Sequence, residues 1–299
     1  MQTQNQREYK EYMEQIKEAV ERKTGKQVTV QKVNKNNGLM LDGLTILSEE
    51  VNVSPTIYLN DFFEEYLTSG ANTVAERIIA IYEENKPKEP IDVSFFTDVE
   101  KVRPQIKMKL VNYEKNKELL EQVPYVRFLD LAVLFIVALE PDCDNGFATI
   151  LVHNHHLNFW NMDTEGLYSI AMENTANDFE IIPMSAIIKE LVGIDSSDEI
   201  MESAEIEMSV LTTPAKMYGA TGMVHKEILE KYKEERQAEK VIILPSSIHE
   251  VLLIPCDSSA DMKYFRDMVK EVNATQVQPE EVLSNNVYVY DGDVITIAE

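Results

Sequence analysis

Four polar residues of the segment Pro245-Ser246-Ser247-Ile248-His249-Glu250 could do chemistry together. A serine hydroxyl, an imidazole and a carboxylate are the parts of a nucleophilic relay. Such a relay would make the chain a hydrolase with Ser246 or Ser247 as nucleophile, His249 as base and Glu250 as orienting acid. Two features weigh against it. A serine and a histidine two or three residues apart rarely meet in the required geometry, and the chain has no Gly-x-Ser-x-Gly elbow. The plainer expectation is that the four groups satisfy one another at a tight turn. His249-Glu250 also opens a zinc-protease pattern, but Leu253 stands where the second histidine is needed.

His153-Asn154-His155-His156 is the second candidate. On a strand His153 and His155 would share a face and offer two imidazoles to a divalent metal, with Asp163 as a third ligand. The plainer expectation is a strand end with solvated histidines. Asp142-Cys143-Asp144-Asn145-Gly146 begins like a calcium loop. Phe147 and His153 stand where that loop needs glycine and glutamate, so a hairpin turn is expected instead. No glycine-rich phosphate loop is present, and no motif calls for a cofactor. Cys143 and Cys256 lack basic neighbours that would activate a thiol. Asn174 is expected to bond a nearby backbone, and Trp160 to close a core behind a strand.

These residues need elements to hold them. Glu8–Lys23 reads as an amphipathic helix burying Tyr12, Ile16, Ala19 and Val20. Gln27–Val33 and Gly38–Leu47 read as a hairpin, followed by a short strand at Thr56–Leu59. Two helices follow, one capped at Asn60 or Asp61 and one at Asn72 or Thr73. Downstream, strands are expected at Ile106–Val111, within Val126–Leu139 and at Phe147–His153. Helices are expected at Glu114–Glu121, Thr164–Thr175 and Gly222–Gln237. Val241–Leu244 and His249–Ile254 form a hairpin, the second of them central and buried. A helix capped at Ser258 or Ser259 turns Met262, Phe265, Val269 and Val272 inward. A last hairpin joins Val287–Tyr290 to Val294–Ile297.

Strands therefore come in hairpins rather than singly between helices. The expected class is α+β, with mixed, mostly antiparallel sheets, helices packed on them and two subdomains. Three segments are expected: a helix and strand over 1–35, an α+β subdomain over 36–123 and another over 124–299. The last carries an acidic loop at 195–208.

The chain has 299 residues, enough to bury a core without disulfides or metal. Its 52 acidic residues exceed its 28 basic ones by 24. From Phe128 to Ala215 a single basic residue, Lys189, faces sixteen acidic ones. That region repels phosphate and anionic lipid, so neither nucleic acid nor membrane is an expected partner. Residues 1–35, with eight basic and five acidic side chains, are net basic. No apolar stretch follows Met1, and two unpaired cysteines suit a reducing compartment, so a cytoplasmic protein is expected.

Several segments together resemble a known family. They are Ser54-Pro55-Thr56-Ile57-Tyr58-Leu59-Asn60, Asp130-Leu131-Ala132 and the Leu167-Tyr168 to Asn174-Thr175 helix. To these add Leu244-Pro245-Ser246-Ser247-Ile248-His249-Glu250-Val251, Glu271-Val272-Asn273 and Val287-Tyr288-x-Tyr290. The family is an uncharacterised bacterial domain of unknown function, common in gut clostridia and often near mobile elements. It usually has a Tyr-Val-Leu-Thr-Asn strand followed by Gly-Ala. This chain has Val210-Leu211-Thr212-Thr213 and, further on, Tyr218-Gly219-Ala220. The resemblance implies a bacterial α+β protein and supplies no catalytic residue.

Three functions follow as expectations: a cytoplasmic acidic interaction or regulatory protein that binds another protein, a hydrolase built on 246–250 with or without a metal at His153 and His155, and a small-ligand sensor. The sensor's pocket would be rimmed by Tyr58–Asn60 and His249–Glu250.

Overall fold

A computed structural model describes residues 2–49, 51–87, 94–139, 148–192, 207–257 and 260–298. The chain divides into two compact units, Met1–Phe95 and Phe96–Glu299. The boundary expected at 35/36 falls on a hairpin turn inside the first unit, and that at 123/124 falls inside the second.

The first unit runs α1 (Gln2–Thr24), β1 (Val28–Asn34), β2 (Met40–Ile46), β3 (Thr56–Tyr58) and α2 (Phe63–Asn85). Its three strands form one antiparallel sheet in the order β1-β2-β3. The stripe Tyr12, Ile16, Ala19 and Val20 is buried as its spacing requires. It packs with Val74, Ala75, Ile78 and Tyr82 of α2 over Val28, Leu44, Ile46 and Ile57. Each such apolar side chain contributes about 1.5–3 kcal/mol on burial. The Tyr12 hydroxyl donates to the Leu59 carbonyl at 2.7 Å, so its polar end is satisfied too. The two expected helices are both present within α2, which Gly70 divides at a kink where it leaves helical geometry at φ 78° and ψ 168°. Asn60 caps no helix; its side chain accepts from the Asp42 N–H at 2.8 Å.

The second unit opens with α3 (Val99–Val102), β4 (Ile106–Asn112), α4 (Lys117–Leu120), β5 (Tyr125–Phe128), β6 (Leu131–Leu139) and β7 (Ala148–Leu151). Then come α5 (Asn154–Trp160), α6 (Thr164–Thr175), β8 (Glu180–Pro183), α7 (Met184–Val192), β9 (Ser209–Thr212) and α8 (Lys226–Glu235). It ends with β10 (Lys240–Leu244), β11 (Val251–Cys256), α9 (Met262–Thr275), β12 (Tyr288–Tyr290) and β13 (Ile295–Ile297). β4, β5 and β7 all pair antiparallel with β6. β6 is buried on both faces from Leu131 to Val137, which explains its unbroken apolar run. A six-stranded sheet has the order β13-β12-β10-β11-β9-β8, every neighbour antiparallel. The fold is α+β with mostly antiparallel sheets.

Asp130 ties the two sheets of this unit together. It sits in the turn between β5 and β6, beside Leu129 at φ 56°. Its Oδ2 accepts from Ser284 Oγ at 2.8 Å and Asn286 Nδ2 at 3.0 Å; its Oδ1 accepts from the Tyr288 hydroxyl at 2.8 Å. The Asn273 side chain donates to the Ser284 carbonyl at 2.8 Å and holds that segment in place. Three of the motifs that carry the family resemblance thus meet in one hydrogen-bonded network.

Other details bear on the sequence reading. Asp163 caps α6 by accepting from the Gly166 N–H at 2.8 Å, and so serves the helix. Asn174 donates to the carbonyls of Arg103 and Ile106 at 2.7 and 2.9 Å. Trp160 is buried, and its indole N–H donates to the Phe96 carbonyl at 2.8 Å. Asp261 caps α9, with Phe265 and Val269 buried and Val272 exposed rather than inward. Ser258, Ser259, the turn 142–146 with Cys143, and residues 195–206 of the acidic loop 195–208 lie outside the described residues. Among the described residues no helix is long and apolar enough to cross a membrane.

Candidate functional site

The Ser-Ser-x-His-Glu segment folds as the turn leading into β11, so His249 and Glu250 precede the strand rather than opening it. Ser246 Oγ donates to Glu250 Oε1 at 3.2 Å. The Ser247 N–H donates to the Glu250 carbonyl at 3.1 Å, and Ser247 Oγ accepts from the His249 N–H at 3.0 Å. Both hydroxyls are thus engaged with groups other than the imidazole. The His249 ring turns the other way. Its Nδ1 accepts from the Tyr218 N–H at 3.3 Å, which places the proton of the neutral ring on Nε2, 3.6 Å from Glu281 Oε1. Burial lowers the His249 pKa, aided by Lys109 and opposed by Glu281 and Glu250. The cluster is a braced turn, with His249 supporting Tyr218.

Tyr218 leads to a cleft. It stacks on His249 with ring centroids 5.5 Å apart, and Lys109 Nζ lies 5.0 Å from its ring centroid. The cleft has a volume of about 250 Å³. One wall is Lys107 and Met108 of β4 with Ile136 of β6. A second is Thr175 at the end of α6 with the following Asn177, Asp178 and Phe179. The third is the segment after β9: Thr213, Pro214, Ala215, Met217, Tyr218 and Thr221. None of Ser246, Ser247, His249 and Glu250 lines it.

The third wall is held by its own bonds. Thr213 Oγ1 donates to the Met217 carbonyl at 3.1 Å and accepts from the Met217 N–H at 3.2 Å. Thr221 Oγ1 donates to the Tyr218 carbonyl at 2.7 Å. Lys216 and Tyr218 both have left-handed backbones, at φ 53° and 55°. Each non-glycine residue in that region costs on the order of 1 kcal/mol, and such strain clusters at ligand clamps. On the second wall Lys107 Nζ meets Asp178 Oδ2 at 2.5 Å. Behind it the Thr175 hydroxyl donates to the Ala171 carbonyl at 2.7 Å and accepts from His225 Nε2 at 3.1 Å. Burial lowers the His225 pKa, opposed by Glu227 and Asp178.

The histidine triplet is not on a strand, which corrects the expected ligand geometry. His153 precedes α5, and Asn154–Trp160 is helical because His156 Nδ1 accepts from the His153 N–H at 3.0 Å. His153 is the N-cap of α5 and His155 lies in its first turn, with ring centroids 5.6 Å apart. Burial and the two neighbouring imidazoles push His156 down to about 4. Among the described residues no group of three or more His, Cys, Asp or Glu side chains is disposed to hold a metal ion.

These lowered histidines give a pH dependence. His156, His225 and His249 are harder to protonate in the fold than in the unfolded chain, which takes up protons near pH 6.5. Their contribution is present above pH 6.5 and is lost as the pH falls below it, down to about 4 for His156. Each proton of difference changes the slope by about 1.4 kcal/mol per pH unit. Urea midpoints should be level above pH 7 and fall between pH 6.5 and 4, less steeply in His156→Gln. A level midpoint down to pH 5 would show that these rings titrate normally.

The fold and cleft define an α+β protein whose second unit carries a cleft of about 250 Å³. The chain belongs to the family of unknown function (DUF5688), whose model matches residues 9–292. No curated protein and no solved structure matches the chain.

Proposed function

We propose that the protein is a ligand-responsive regulatory module that binds a small molecule in the cleft under Tyr218. The observation that carries this reading is the wall 213–221: a strained, self-bonded segment standing over a cavity with both apolar and charged lining. A preformed concave site with a few convergent polar groups is the usual form of a ligand pocket. The resemblance and the acidic composition support a bacterial, cytoplasmic setting.

The sensor pocket expected from sequence joined Tyr58–Asn60 to His249–Glu250. The cleft uses neither pair directly; Tyr58–Asn60 belong to the first unit. The test is thermal: a small-molecule extract should raise the melting temperature of the intact chain, and Ala215→Trp, which fills the cleft, should abolish the rise. A rise that survives Ala215→Trp places the ligand elsewhere.

The acidic middle region favours a second reading, in which the module also engages a basic protein partner. Its mark would be binding that weakens steeply with salt.

A further inference from the structure

We propose that the cleft takes a zwitterion: an α-amino acid with an apolar side chain. This rests on the reading of the cleft as a ligand site. Lys107 and Asp178 line it as a direct ion pair, 71 residues apart in sequence. Each side chain is only about one-third exposed, at 33% and 30%. Lys107 is fixed on β4, and Asp178 is fixed by its N–H bond to the Thr175 carbonyl at 3.1 Å.

A ligand with a carboxylate and an ammonium on one carbon can enter between these two charges. Its carboxylate takes Lys107 and its ammonium takes Asp178. One ion pair is replaced by two charge-assisted ones, and no charge in the site is left unpaired. A simple carboxylate would pair Lys107 and strand Asp178. A simple amine would do the reverse. Half-buried charges left this way penalise the wrong ligand, which is how such a site discriminates.

Two further features fit. A chain with a net charge of −24 repels free anions, whereas a net-neutral zwitterion approaches without penalty. Beyond the ion pair, Met108, Ile136, Phe179 and Met217 line the cleft with apolar surface for a side chain. A volume of about 250 Å³ lies below the roughly 300–1,000 Å³ of sites for drug-sized ligands, so the occupant is small.

Calorimetric titration of the intact chain with L-leucine tests this against two analogues, 4-methylpentanoate and 3-methylbutylamine. They keep the branched chain and lose one charge each. L-Leucine should bind, with each analogue at least tenfold weaker. The charge-swapped variant Lys107→Asp/Asp178→Lys keeps an ion pair in reversed orientation and should also bind L-leucine at least tenfold more weakly. Lys107→Met repeats the test should the swap fail to fold. If either analogue binds as tightly as L-leucine, the zwitterion inference falls. It falls alone if none of the twenty L-amino acids binds while the extract ligand remains sensitive to Ala215→Trp. If that extract experiment is also blank, the cleft reading falls with it.

Discussion

Asp130→Ala is expected to destabilise the second unit by about 3–5 kcal/mol, a large share of the stability of an ordinary domain. The carboxylate accepts from three side chains, Ser284, Asn286 and Tyr288, all on the segment that leads into β12. Truncation removes every acceptor at once and leaves donors facing apolar surroundings. Tyr288 is the worst placed, because its ring is fully buried and its hydroxyl has no route to water. Burial and the adjacent Asp130 raise its pKa far above the ordinary tyrosine value, so it remains a donor at all working pH. Asp130→Asn keeps one acceptor oxygen and should cost less than the alanine. Tyr288→Phe should cost about 1 kcal/mol, the worth of one ordinary hydrogen bond. Urea unfolding of the three variants measures these differences. An Asp130→Ala midpoint equal to that of the parent chain would show that the network does not hold the sheets together.

Gly219→Ala should cost about 3 kcal/mol and remove ligand binding along with stability. A Cβ built on Gly219 would lie 2.5 Å from Thr212 Cα, 2.6 Å from the His249 carbonyl oxygen and 2.8 Å from the Thr212 carbonyl carbon. All three are backbone atoms, so no side chain can swing aside. The alternative is to push the 213–221 segment away from β9 and β11. That breaks the Tyr218 N–H bond to the His249 ring. Overpacking of this kind costs about 1–3 kcal/mol, and the lost hydrogen bond brings the sum to the upper end. Gly166→Ala is the control, because its nearest neighbour would be a side-chain atom of Asp163 at 3.2 Å. A Gly219→Ala chain that melts with the parent would mean that the segment is loosely held, and the preformed cleft would go with it.

Much of the fold was legible because its elements are locally consistent. The Tyr12, Ile16, Ala19 and Val20 stripe, the Asn-Asn-Gly turn between β1 and β2, and the Thr164–Thr175 helix each follow from spacing and cap chemistry alone. The turn at Pro245-Ser246-Ser247 was legible too, with Ser246 and Ser247 bonded to Glu250 and the His249 N–H, but the His249 ring bonds Tyr218 instead. The misreadings have physical causes. His153-Asn154-His155 alternates as a strand would, yet an imidazole nitrogen accepting from the preceding backbone started a helix there. The cleft itself was not legible. Its ion pair joins residues 71 positions apart, and its wall has no periodic pattern. The one local signal was Tyr218-Gly219-Ala220, whose glycine marks a close backbone approach.

The order in which these contacts arise along the chain has a consequence for synthesis. The described strands and α-helices of the first unit lie within residues 2–85, so it can complete itself soon after emerging from the ribosome. The second unit cannot. Asp130 waits for partners 154 to 158 residues downstream. Likewise β10 pairs with β11 at once, but its other edge stays open until β12 arrives at Tyr288. A nascent chain halted between Cys256 and Ser284 presents the apolar strand Lys240–Leu244 as an unpaired edge, the form most prone to join a neighbouring chain. The segment 284–297 therefore acts as a closing clasp, and the half-made second unit is the stage of this protein's life that most needs a chaperone.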